Sequence, residues 1–305
     1  MGSSSAPAPT WRSAKTPEGL FLYNRASGAC LFTPSIKSER WLKPLYAQIA
    51  LTGRCDRRCW WCYAESSPDN VLQMRKDDVM DLLDFLDGWG IFGVSFGGGE
   101  PFLHPDVVEL VKYAWEKTGL DTSLTTNGYA PTGEQLDEVE GCVGEVRVSV
   151  RQPEDCKVLE KFLGRKFDVG VNLLLMKGNA SLLEDLIHRC MHVGVKDFLI
   201  NSFVAVGRGT KYAYLEPTEE DIEALAHILE HESATFKMSG RLARVMCTVR
   251  KCKFVPFSCE GKGRIIAITS DKKVKPSSLS EESYQFDRPE DIWKIYRYMV
   301  NGVGR

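Results

Sequence analysis

From about residue 45 onward, short runs of apolar and β-branched residues alternate with stretches whose apolar positions recur every three to four residues. LYAQIAL (45–51) has the pattern of a strand, and DDVMDLLDFLDGWG (77–90) that of a helix with Val79, Leu82, Leu83 and Leu86 on one face. IFGVSF (91–96) predicts the next strand, and HPDVVELVKYAWEKTG (104–119) the next helix, with Pro105 near its first turn and Gly119 at its end. TSLTTNG, EVRVSV, DVGVNLLLM and DFLINSF predict four further strands, with helical segments around GEQLDEVE, PEDCKVLEKFL and LLEDLIHRCMHVG between them. Such alternation argues for parallel strands joined by right-handed helical crossovers, as a partial barrel or an open doubly wound sheet. Either architecture gathers functional groups at the carboxyl ends of the strands.

The pattern changes after VAVGRG (204–209). EPTEEDIEALAHILEHES (216–233) predicts a capped helix, with Thr218 as N-cap and the Asp221 carboxylate at the positive helix end, though without the Glu or Gln of a capping box. CTVRKCKFVPFSC (247–259) follows, then a strand-like RIIAITS, a polar loop, and a last helix around PEDIWKIYRYMV. Residues 20–44 predict a short hairpin, and residues 1–19, rich in Ser, Ala and Pro, a disordered leader.

Composition narrows the function classes. Lys plus Arg is 39 against 41 Asp plus Glu, with no block of either sign, so a dedicated surface for nucleic acid or an anionic membrane is not expected. No stretch approaches the roughly 18 consecutive apolar residues of a spanning helix. The reading is a soluble, cytoplasmic protein whose ten cysteines are ligands, core residues or reactive thiols rather than disulfides.

Three of those cysteines stand close together in LTGRCDRRCWWCYAES (51–66), just past the first strand of the alternating region. Cys55, Cys59 and Cys62 cannot complete a structural zinc site, which takes four protein ligands. Three thiolates can instead hold three irons of a four-iron, four-sulfur cluster and leave the fourth open. Past the second strand comes FGGGEP (96–101).

Cys-x3-Cys-x-aromatic-Cys after a first strand, followed by Gly-Gly-Glu-Pro after a second, resembles the radical S-adenosylmethionine superfamily. The resemblance covers residues 45–215 and implies a partial (β/α)6 barrel, within an α/β fold, that carries a [4Fe-4S] cluster and S-adenosylmethionine. It implies Cys55, Cys59 and Cys62 as cluster ligands and Trp61 and Tyr63 beside them. Gly98, Gly99, Glu100 and Pro101 match the glycine-rich turn whose backbone and carboxylate meet the methionine amino group. Thr125 and Asn127, Ser149 and Arg151, and Asn172 match positions at the third, fourth and fifth strand ends that reach the ribose or carboxylate, and VGRG matches the turn after the sixth. In that family a reduced cluster donates an electron to the sulfonium, a carbon–sulfur bond breaks, and the resulting radical abstracts a substrate hydrogen.

Residues 216–305 resemble the beginning of the SPASM appendage or its shorter twitch relative, a small α+β region. Ser277 stands where a cysteine commonly follows the proline, so two auxiliary clusters are not expected. Cys247, Cys252 and Cys259 leave two alternatives open, one auxiliary cluster or three separate thiols. The appendage points to modification of a ribosomally made peptide, although no leader-binding domain is evident in the first 45 residues. The alternatives are cofactor or small-molecule biosynthesis and, in another class, an inactive iron–sulfur or zinc-binding scaffold. A low-potential donor of the flavodoxin or ferredoxin type is the implied partner. Arg54, Arg57 and Arg58 are expected on a solvated loop face, Cys142, Cys156 and Cys190 in the core, and His104 in a structural role.

Overall fold

A computed structural model describes residues 11–25, 28–34, 36–239, 242 and 263–302 of the 305-residue chain. The expected strands all form: β4 (Tyr46–Thr52), β5 (Gly93–Gly98), β6 (Asp121–Thr126), β7 (Glu145–Ser149), β8 (Asp168–Leu175) and β9 (Asp197–Ser202), each parallel to the next. Helices α1 (Lys76–Trp89), α2 (Val107–Lys117), α3 (Gly133–Val139) and α4 (Ala180–His192) connect them, with a 3-10 helix at Pro153–Lys161 in place of the expected helix between β7 and β8.

Strand parity separates two faces of this sheet. Ile49, Phe96, Leu124, Val148, Val171, Leu173, Phe198 and Ile200 point to one face and are buried. That face lies against the apolar stripes of the helices, such as Val79, Leu82, Leu83 and Leu86 of α1 and Leu183, Leu186 and Ile187 of α4. The opposite face carries Gln48, Ser95, Ser123, Thr125, Arg147, Ser149, Asn172 and Asn201, and is hydroxyl- and amide-rich. Two-sided burial in a parallel sheet would demand apolar residues on both faces. The polar second face therefore marks an open, concave surface, and the barrel is partial and unclosed.

The sheet does not end at residue 215. Helix α5 (Glu219–Leu229) leads to β10 (Thr235–Met238), parallel to β9, while β11 (Ile265–Ile268) pairs parallel with β4 at the other side. Antiparallel β12 (Lys273–Lys275) and β13 (Tyr284–Gln285) extend that edge, giving ten strands in the order β10-β9-β8-β7-β6-β5-β4-β11-β12-β13. The region expected as a separate appendage thus shares the barrel's hydrogen-bonding ladder. At the start of α5 the Asp221 carboxylate accepts from Thr218 N–H at 2.8 Å while Thr218 Oγ1 accepts from Asp221 N–H at 3.4 Å, so Asp closes a capping box that the sequence reading denied it.

Residues 11–15, expected within a disordered leader, instead form β1 (Trp11–Lys15), which pairs with β2 (Leu20–Asn24) of the expected hairpin; β3 (Cys30–Thr33) completes a three-stranded antiparallel sheet. The Ser/Pro composition hid this because the stabilising contacts are distant in sequence. Arg12 pairs with the Asp87 carboxylate and the Ile91 carbonyl, and Tyr23 stacks on Phe92 and donates to Asp121 at 2.8 Å. At the other end, helix α6 (Asp291–Asn301) buries Ile292, Tyr296 and Met299, and Tyr296 donates to the Gly263 carbonyl at 2.6 Å. Among the described residues no helix is long and apolar enough to cross a membrane.

Candidate functional site

The loop after β4 folds back onto its own strand. Gly53 N–H donates to Leu72 O at 2.7 Å, Cys55 N–H to Ser67 O at 3.0 Å, and Ser67 N–H to Gly53 O at 3.3 Å, which pins the loop at its base. Two successive turns, from Cys62 N–H to Cys59 O at 3.2 Å and from Glu65 N–H to Cys62 O at 3.3 Å, shape its tip. Cys55, Cys59 and Cys62 are free and partly exposed, and burial pushes the Cys55 thiol up to about 11. Three free thiols on one pinned loop are a soft donor set of the kind iron–sulfur clusters use.

The end of β5 meets this loop through its glycines. Gly99 N–H donates to Thr52 O at 2.7 Å and Glu100 N–H to Arg54 O at 2.8 Å. A Cβ on Gly99 would lie 2.0 Å from Arg54 O, and one on Gly98, at φ +109°, 2.6 Å from Thr52 O. These two glycines thus admit the backbone of the cysteine loop. Gly97, which sequence reasoning passed over, is the glycine of the turn whose side opens to free space.

Glu100 is held between the same strand ends. Its side chain is fully buried and accepts from Thr126 Oγ1 and Asn127 N–H, both at 2.8 Å, and from Phe102 N–H at 3.3 Å. The carboxylate therefore braces the end of β5 against the end of β6. Burial, partly offset by these hydrogen bonds, raises its pKa to about 7. Pro101 starts the short 3-10 helix Pro101–Leu103 that carries the chain away from the site.

Asn127 joins the third strand end to the first. Its amide donates to Asp56 Oδ1 at 2.6 Å and lies 3.9 Å from Cys55 Sγ, while its own Oδ1 accepts from Tyr129 N–H at 2.8 Å. Thr125 points to the concave face; its neighbour Thr126, absent from the sequence-derived site, is the one bonded to Glu100. Ser149 and Asn172 are paired across β7 and β8 on the concave face. Arg151 lines a narrow cleft with Trp61, Leu174, Met176 and Asn179, so the aromatic residue of the cysteine motif reaches across to the fourth and fifth strand ends. Trp61 meets Trp60 edge-on at 4.9 Å.

Other expectations resolve individually. Arg57 lies over the Tyr129 ring at 3.8 Å and exposed Arg58 pairs with Asp69, while His104 is buried with Nε2 2.8 Å from Met74 O. Cys156 and Cys190 are buried with their sulfurs 3.7 Å apart, and Cys142 is only partly buried. Cys247, Cys252 and Cys259 lie outside the described residues. Arg208, within the VGRG turn, donates to the Cys59 carbonyl, and Asp56, inside the cysteine loop, accepts from Asn127; neither contact is readable from the sequence.

Residues 49–222 match the family model of the radical SAM superfamily. The GTP 3',8-cyclase of Chlorobaculum tepidum is 40% identical over 84 residues, 27% of this chain and 26% of that protein. The antilisterial bacteriocin subtilosin biosynthesis protein AlbA of Bacillus subtilis is 25% identical over 281 residues, 86% of this chain and 61% of that one. The PqqA peptide cyclase of Rhodopseudomonas palustris is 27% identical over 284 residues, 82% of this chain and 74% of that one. The chain thus spans about a quarter of the first of these relatives and about three-fifths of the second. In fold it is similar to Streptococcus suis SuiB bound to the precursor peptide SuiA, with a TM-score of 0.71 at 14% identity over 93% of this chain and 87% of that one.

Proposed function

The chain belongs to the radical SAM superfamily, and from that premise we propose that it modifies a ribosomally made peptide by abstracting a hydrogen from it. Membership makes it an enzyme and implies a [4Fe-4S] cluster and S-adenosylmethionine. When bound, these supply the one-electron chemistry that generates a carbon radical.

The remaining work falls to this chain's side chains. Cys55, Cys59 and Cys62 hold the cluster, and Asn127 donates toward the Cys55 sulfur, favouring its thiolate. Gly97 leaves backbone exposed on the concave face, while Thr125, Ser149, Asn172 and Arg151 offer hydrogen bonds to the cofactor's ribose and carboxylate. Trp61 and Arg151 line one narrow cleft at the strand ends.

The observation that carries the peptide reading is the charge state of the concave face. Among the described residues of β4 to β10 the cations on that face are Arg147 and Lys237, and both are already paired, while Lys275 of β12, on the same face by its register through Ala267 to Gln48, donates to the Ser278 carbonyl at 3.4 Å. Arg147 bonds Glu145 at 2.8 Å and Asp197, and Lys237 lies 3.4 Å from Glu145 and 2.9 Å from Asp197. A nucleoside triphosphate requires cations free to meet phosphate. A face of hydroxyls and amides suits a peptide backbone, and the likeness to a peptide cyclase and a bacteriocin biosynthesis protein agrees with it.

Anaerobic, reduced enzyme with S-adenosylmethionine should form deoxyadenosine faster in the presence of a cognate precursor peptide, with loss of peptide hydrogen seen by mass spectrometry. Stimulation by GTP and not by peptide would move the protein to nucleotide chemistry and end this reading.

A further inference from the structure

The segment after β9 grips the cysteine loop from behind. Arg208 Nε donates to Cys59 O at 2.9 Å, and its terminal nitrogen donates to Ser66 O at 2.7 Å, so one guanidinium spans both sides of the loop tip. Arg208 N–H donates in addition to Cys62 O at 3.1 Å. The carbonyls of two of the three cysteines are therefore held by one residue about 150 positions away. Gly207, at φ +55°, permits this approach, since a Cβ there would lie 2.5 Å from Tyr63 O and 2.7 Å from Cys62 O. Trp60 packs against Phe203 at 5.8 Å and Tyr212 at 4.4 Å, a second, apolar grip by the same segment.

We infer that Arg208 is a positioning residue for the cluster: it staples the cysteine loop into its ligating shape before iron arrives, and its charge makes the bound cluster easier to reduce. Three donors on carbonyls at residues 59, 62 and 66 remove backbone freedom that an unstapled loop would lose on ligation. A partly buried guanidinium on the Cys59 and Ser66 carbonyls would favour an electron added to a cluster held by that loop, through a medium of lower effective dielectric than water. This inference rests on the family assignment and the cysteine ligands, and is independent of whether the substrate is a peptide.

The test uses Arg208→Ala, Arg208→Lys and Gly207→Ala in the full chain, with readouts that need no substrate. In iron-free protein, amide hydrogen exchange across residues 59–66 should be faster in all three variants, because Lys has a single point donor where Arg has a fork. After reconstitution with iron and sulfide, Arg208→Ala should retain less iron through gel filtration, and its midpoint potential should shift to more negative values. Arg208→Lys should hold a potential near that of the wild type, since it keeps the charge. Wild-type exchange, iron retention and potential in a folded Arg208→Ala protein would overturn the proposal. Faster exchange with an unmoved potential would overturn its electrostatic half. Should Arg208→Ala fail to fold, unchanged exchange in Arg208→Lys and Gly207→Ala would overturn the staple.

Discussion

Glu100 and Gly99 show how single residues at a strand end carry structure beneath chemistry. Replacing Glu100 by Ala strands three buried donors, on Phe102, Thr126 and Asn127, each costing about 1–3 kcal/mol when unpaired. Partial relaxation and the release of a desolvated carboxyl offset part of this, so denaturant unfolding should show a loss of about 2–4 kcal/mol. The carboxyl's pKa is raised from 4.5 to about 7 by burial, so the fold holds its proton more tightly than the unfolded chain does. That contribution is complete below about pH 4.5 and is lost as the pH rises through about 7. The melting temperature of iron-free wild type, relative to Glu100→Gln, should accordingly fall between these values and level off above them; a flat difference would mean that Glu100 is ionised throughout. Gly99→Ala places a methyl 2.0 Å from Arg54 O and must push β5 off the cysteine loop, so iron bound per chain should drop sharply while the helical signal persists. Thr126 was not legible in the sequence, because a composition motif cannot say which of two adjacent threonines faces the concave side and which the core.

At the scale of elements, amphipathic periodicity located every strand of the barrel and nearly every helix, because burying an apolar stripe is what makes those segments ordered. It misjudged pieces whose stability comes from partners distant in the chain. Strand β1 is short and polar, yet Arg12 ties it to the end of α1 some 75 residues later. Helix α5 is a second case, since Asp221 caps the helix through Thr218 and also accepts from Gly178 N–H at 2.7 Å, next to the start of α4. Thr218→Ala should cost about 1 kcal/mol, a typical N-cap loss. Asp221→Ala should cost more, because it releases two elements at once. Urea midpoints of the two variants measured side by side check the order, and equal losses would show that the Gly178 bond contributes nothing.

For the whole molecule, the carboxyl-terminal region is part of the barrel's own sheet, with β11 beside β4, whose end leads into the cysteine loop. The region's own cysteines lie outside the described residues, and iron counting decides what they hold. If Cys247, Cys252 and Cys259 ligate an auxiliary cluster, reconstituted protein should carry about eight irons, falling to about four when Cys55, Cys59 and Cys62 are all replaced by Ala. About four falling to none would assign all iron to the first cluster and leave the later cysteines as thiols.

By itself the sequence determined the alternating architecture, the placing of Cys55, Cys59 and Cys62 after the first barrel strand, and the glycine-rich turn after the second. Each of these is local, written in periodicity, spacing or the conformational freedom of glycine. Only the tertiary structure decided that Glu100 faces inward, that Asp197 pairs with both Arg147 and Lys237, and that Arg208 closes on the carbonyls of Cys59 and Ser66. Those outcomes depend on which side chains meet after strands far apart in the chain come into register. Hydrogen-bond and ion-pair partners separated by 26 to 149 residues leave no periodic trace from which they could be read.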